Sequence, residues 1–242
     1  MLAKPSLGRC ASSLSGMTSR STPVSTTSSL RRRQQSMFRQ HAMDPSKTAV
    51  VLIEYQNEFT SEGGKLHDAV KGVMESNDML SKSQDVVSKA RSAGCTIVHA
   101  PITFSDDYKE LAATPYGILA GVKEGGCFKK SEWGGAICDE MKPEDTDVVI
   151  EGKRGLDGFA STNLDFVLRQ NNIENIVLGG FLTNCCVEST MRTAYEKGYN
   201  VVTLTDCTAA TSPEEQQASV EKTYPMFSKP MTASDFIQTE LN

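Results

Sequence analysis

Residues 48–54, Thr48-Ala49-Val50-Val51-Leu52-Ile53-Glu54, decide the fold. Five successive apolar residues, three of them β-branched, leave no face for water, so the run reads as a strand buried on both sides. A strand of that kind belongs in the middle of a parallel sheet. Shorter runs of similar character recur at 95–99, 148–150, 175–178 and 200–204, with helical patterns between them at 76–93, 160–171, 185–197 and 213–223. Parallel neighbours need crossover connections. The alternation therefore predicts an α/β fold: a three-layer, doubly wound, mainly parallel sheet of about six strands with helices on both faces.

In open sheets of this type, functional groups gather beyond the carboxyl ends of the strands. Glu54 ends the first apolar run, Lys153 follows the third and Cys186 follows the fourth, so all three fall on one edge. A carboxylate emerging from a buried strand is costly without a cation or a proton, and a helix cap or a structural ion pair would satisfy Glu54 as well as catalysis would. Lys153, in EGKRG at 151–155, is placed where an ammonium would favour a thiolate and polarise a substrate. An ordinary surface lysine is the plain alternative, and Arg154 competes for the role.

Cys185 and Cys186 lie in GGFLTNCCVESTMRTAYEKG at 179–198, where a strand ends at Gly179-Gly180 and an amphipathic helix follows through Val187, Met191 and Ala194. A thiol at a helix N-terminus is expected to have a lowered pKa, and the free amides there can hold an oxyanion. The competing reading is a buried structural cysteine. Residues 102–146 are irregular, rich in Gly and aromatics, and predict a lid or a subunit contact built from short helices. Phe59, Phe104, Tyr116 and Trp133 are candidates for an aromatic pocket wall, and His99, at a strand end before Pro101, is a candidate pocket residue or a satisfied structural histidine.

Residues 1–43 hold seven of the 25 Lys and Arg residues, many Ser and Thr, and none of the 30 acids. Such a stretch cannot build a core, and it reads as an organelle-targeting presequence directing the domain at 44–242 to the mitochondrial matrix. The alternatives are a non-targeting tail or initiation at Met37 or Met43, which would leave the protein cytoplasmic. No continuous apolar run near Met1 suits a secretory signal. The remaining chain has a formal charge of -12, which argues against a nucleic-acid partner. No run is apolar for long enough to span a membrane. The seven cysteines show no CxxC pair or framework spacing, which fits reduced thiols.

Three segments together resemble the signature regions of isochorismatase-like cysteine hydrolases: IEYQNEF at 53–59, GKRGLDGFASTNLD at 152–165 and GGFLTNCCVESTMRTAYEKGY at 179–199. The resemblance spans about residues 48–236. It matches Glu54, Gln56, Asn57 and Phe59 to the first region, Lys153, Phe159 and Thr162 to the second, and Gly180, Thr183, Cys186 and Val187 to the third. It implies a catalytic set of Glu54, Lys153 and Cys186, with Cys186 as nucleophile and Cys185 as its neighbour. It also implies a cis peptide at Phe181-Leu182 that aims the Leu182 and Cys186 amides at an oxyanion. The implied reaction is hydrolysis of a C–N bond in a small amide, ureide or carbamoyl compound through a thioester.

The chain departs from that family where an Asp is usual and Glu54 stands. Nicotinamidases of the superfamily carry an Asp-x-His pair and another His for a metal. Here His41 lies in the presequence and neither His67 nor His99 stands in Asp-x-His, so no metal and no cofactor is expected. The resemblance further implies a homo-oligomer acting on a small molecule. Glu54 leaves open a non-hydrolytic scaffold on the same fold, and the vicinal cysteines leave open a thiol redox role.

Overall fold

The computed structural model describes residues 42–241. The segment read as a presequence therefore lies outside the described residues, apart from Ala42 and Met43. Six strands form one sheet in the order β3-β2-β1-β4-β5-β6, with every pairing parallel. They are β1 (Thr48–Ile53), β2 (Thr96–Ala100), β3 (Val148–Val149), β4 (Asn175–Phe181), β5 (Asn200–Ala209) and β6 (Lys229–Met231). β6, only three residues long, carries no periodic signal of its own in the sequence.

β1 occupies the centre, as its composition requires. Val50 and Leu52 enter one apolar cluster with Val177, Val202 and Leu204, while Ala49, Val51 and Ile53 enter a second with Val98, Ile176 and Leu178. The first layer of helices comprises α1 (His67–Ser76), α2 (Met79–Ala93) and the C-terminal helix Ala233–Thr239, which contribute Val70, Val86, Ala90 and Phe236. The second contains α3 (Leu164–Gln170) and α4 (Glu188–Glu196), which contribute Leu164, Leu168, Met191 and Ala194. Full burial of each large aliphatic side chain is worth ~1.5–3 kcal/mol, so these two clusters hold the three layers together.

The helical pattern anticipated at 76–93 is α2, which begins only at Met79. α1 ends at Ser76, Asp78 takes a left-handed conformation (φ 50°), and α2 starts at Met79. α1 itself was not anticipated. The pattern at 185–197 is divided: Thr183–Val187 form a wide π-turn before α4, and Val187 N–H donates to Leu182 O at 3.2 Å.

Chain direction within the sheet reverses between β1 and β4. From β1 the chain steps outward to β2 and β3, and from β4 it steps the other way to β5 and β6. The segments leaving β1 and β4 consequently splay apart and open a crevice at the carboxyl edge. The two strands meet closely beneath it. A Cβ at Gly180 would lie 1.9 Å from Ile53 O, and its φ of +132° is one that side chains resist. The Phe181-Leu182 peptide that follows is cis.

Candidate active site

Glu54 leaves β1 with a left-handed backbone (φ 57°), and its N–H donates to Ala100 O at 3.2 Å. Gln56, two residues on, spends its whole amide on the neighbouring segments: Nε2 donates to Ile102 O (2.8 Å) and Gly135 O (2.7 Å), and Oε1 accepts from Ile102 N–H (2.9 Å). These bonds tie the chain beyond β1 to the chain beyond β2. The conformation that turns Glu54 toward the crevice is held from both sides.

Lys153 lies in the loop beyond β3 and is entirely buried, as is all but 2% of Glu54. Its Nζ donates to Glu54 Oε1 and, at 2.8 Å, to Gly155 O. Burial alone would lower its pKa. The charge of Glu54 and its hydrogen bond act against that and leave Lys153 above its ordinary value. The cation that the Glu54 position demands is therefore Lys153, while Arg154 turns to Glu110 (3.4 Å) and Thr103.

Cys186 sits in the π-turn and is 4% exposed. Thr190 Oγ1 donates to its carbonyl at 2.7 Å and accepts from Gly158 N–H at 2.8 Å, joining the Cys186 turn to the Lys153 loop. Tyr224 and Gln216 fix the start of the same turn through Thr183: Tyr224 OH donates to its carbonyl (3.1 Å), and its hydroxyl donates to Gln216 Oε1 (2.6 Å).

The expected lowering of the Cys186 pKa is not found. Its hydrogen bond with Cys185, its burial and the Glu54 carboxylate all push it well up, and Lys153 offsets them only in part. Cys185 shifts the opposite way, lowered first by the same hydrogen bond. A π-turn inside a closed site, beside a second thiol and an anion, thus outweighs the helix dipole. Cys186 rests as a thiol, and a base must take its proton before it can attack.

Glu54 and Cys186 open onto one cavity of about 320 Å³. Its other walls come from remote segments: Phe59 after β1, Leu66 and Val70 around α1, Ile102 after β2, and Leu119 and Val122 from the short helix Ile118–Glu124. That helix lies within 102–146, the stretch expected to form a lid or a subunit contact, and it lines part of the cavity. Phe128, Leu156, Leu182 and Thr211 complete most of the rest.

Phe59 thus lines the cavity, but the other aromatic candidates and His99 do not. Trp133 is 56% exposed on the turn Trp133–Gly135, where Asn57 Nδ2 grips its carbonyl (3.0 Å), and Tyr116 is 92% exposed. Phe104 is buried against Tyr108, with ring centroids 5.5 Å apart. His99 alternates to the α2 face of β2. There its Nε2 lies 3.3 Å from Asp147 Oδ2, beside Arg91, in a separate depression. The leucines and valines of the cavity went unrecognised because the residues are scattered over five loops and helices. The only sequence signal was the spacing of Ile118, Leu119 and Val122 within one helical turn.

Among the described residues, no group of three or more His, Cys, Asp or Glu side chains could hold a metal ion. No helix among them is long and apolar enough to cross a membrane.

A profile of the isochorismatase domain matches residues 48–235. The chain belongs to the isochorismatase family, in its cysteine-hydrolase branch. Among isochorismatase relatives, the ureidoacrylate amidohydrolase RutB of Rhizobium rhizogenes is 32% identical over 209 residues, covering 81% of this chain and 85% of the relative. RutB of Agrobacterium fabrum is 31% identical, covering 80% and 90%. The crystal structure of a cysteine hydrolase from Pseudomonas syringae pv. phaseolicola superimposes with a TM-score of 0.73 at 23% identity, covering 83% of this chain and 95% of that one. At that identity the superposition speaks for the isochorismatase fold alone.

Proposed function

We propose that this isochorismatase-family chain is a metal-independent cysteine hydrolase that cleaves a C–N bond in a small amide, ureide or carbamoyl compound. The observation that carries the reading is the shared cavity of Glu54 and Cys186, with Lys153 bonded to Glu54 from behind. The activity of the RutB relatives, ureidoacrylate amidohydrolases, supports the same bond type.

In this mechanism Glu54 takes the Cys186 proton as the sulfur attacks the carbonyl carbon. The oxyanion is received by the Leu182 and Cys186 amides. Collapse expels the nitrogen, which accepts the proton from Glu54 and leaves as an amine or ammonia, and a thioester remains on Cys186. Glu54 then removes a proton from water as the water attacks the thioester. The second collapse releases the acid and returns the proton to sulfur. Lys153 stays charged throughout and orients Glu54, whose carboxylate alternates between base and acid.

Ammonia release from a panel of small amides and ureides, with mass spectrometric trapping of the acyl-enzyme, tests the reading. A thioester on the peptide containing Cys186, absent in Cys186→Ala, is the expected result. Full turnover by Cys186→Ala would refute it.

A further inference from the structure

Among the described residues that line the cavity, Glu54 is the single charged group. Basic side chains of neighbouring segments are engaged with acids: Lys153 with Glu54, Arg154 with Glu110, and Lys65 with Glu132 at 2.8 Å. Much of the cavity lining is apolar: Phe59, Leu66, Val70, Leu119, Val122 and Phe128. Phe59 and Phe128 meet at a ring-centroid distance of 5.3 Å, and Phe59 stacks on Phe181 at 5.0 Å. These side chains form an aromatic and aliphatic surface, and Thr211, the one hydroxyl among the described lining residues, already donates to Glu215.

We propose that the substrate is a neutral amide or ureide whose non-reacting part is an apolar group, aromatic or branched aliphatic, and that carboxylated substrates are excluded. The inference rests on the hydrolase reading above and narrows it. A carboxylate carried by the substrate would have to shed its water against hydrocarbon, with Glu54 as the one charged group among the described lining residues and no cation among them to compensate. An apolar group there gains from the same desolvation. The chain thus differs from the RutB relatives, whose substrate ureidoacrylate is itself a carboxylate. A cavity of about 320 Å³ stands at the small end of ligand sites, which suits a single ring or a short branched chain beside the reacting amide.

The test compares pairs of amides differing only by a methyl group or a carboxylate at the far end: 4-methylbenzamide with 4-carbamoylbenzoate, and butanamide with succinamate. Binding of each to the full-length Cys186→Ala protein is measured by calorimetry, and ammonia release from each by the unmodified protein. The neutral member of each pair is expected to bind at least about tenfold more tightly, a difference of about 1.4 kcal/mol. Tighter binding of either carboxylate, or no binding of the neutral members, overturns the inference. Carboxylate preference with turnover that depends on Cys186 would overturn it while leaving the hydrolase reading intact. Neutral preference in binding without turnover of any neutral amide would do the reverse.

Discussion

Lys153 Nζ donates a hydrogen bond to Glu54 Oε1, and neither side chain reaches solvent. Each residue is tolerable in the interior because of the other. The pair joins the loop beyond β3 to the end of β1, across the strand that lies between them.

Removing one partner should therefore cost more than removing both. Lys153→Met leaves the Glu54 carboxylate buried and uncompensated, and a loss of about 3–5 kcal/mol in urea unfolding is expected. Adding Glu54→Gln should recover part of that loss, giving a coupling energy readable in a double-mutant cycle. Additive losses would show the pair to be energetically independent. The pH dependence follows from the raised Lys153 pKa. Its contribution is fully present below the ordinary value of 10.5 and is lost as pH climbs through the higher folded value, so Lys153→Met should flatten that part of the alkaline decline.

Cys185 holds Cys186 in its thiol form. In Cys185→Ala that hydrogen bond is gone, and the pH midpoint for alkylation of Cys186 should move down. Iodoacetamide rates followed by peptide mass spectrometry read this directly. An unchanged or higher midpoint would leave burial and Glu54 as the whole cause.

Shortening the base should harm rather than help. Glu54 is turned inward by a left-handed backbone and fixed by Lys153, so Glu54→Asp withdraws the carboxylate by about one bond from a thiol it must reach within about 2.6–3.2 Å. kcat is expected to fall at least about tenfold, with KM changed little. A gain in kcat would instead favour a scaffold whose Glu marks lost catalysis.

Gly180 holds the floor of the crevice. In Gly180→Ala the new methyl group would collide with Ile53 O, at a φ disfavoured for any side chain. The collision is with backbone, so the β1–β4 junction must open. A destabilisation of about 3 kcal/mol or more is expected, seen as a fall in Tm or loss of soluble protein. An unchanged Tm would show that the junction yields freely.

Much of the architecture was legible because it follows from short-range patterning. An unbroken apolar run such as Val50 to Ile53 has only one comfortable place, the middle of a covered parallel sheet, and alternation with helices sets the crossover topology. Glu54, Lys153 and Cys186 could be assigned to one edge for the same reason: each lies within a few residues of a strand's carboxyl end. The start of α2 at Met79 was not legible, since Asp78 turns left-handed just ahead of it without disturbing the apolar pattern.

The sequence by itself determined which residues stand at the carboxyl ends of the strands, because strand periodicity and chain direction are local properties. Only the tertiary structure decided what those residues meet. Burial and charge depend on neighbours distant along the chain: Lys153 is bound to Glu54 across 99 positions, and His99 belongs to Asp147 rather than to the cavity. The same is true of the Cys186 thiol, which is raised by Cys185, by burial and by Glu54 instead of lowered by its helix. The apolar wall exists only after loops from both halves of the sheet close over one crevice, so no single stretch of sequence could announce it.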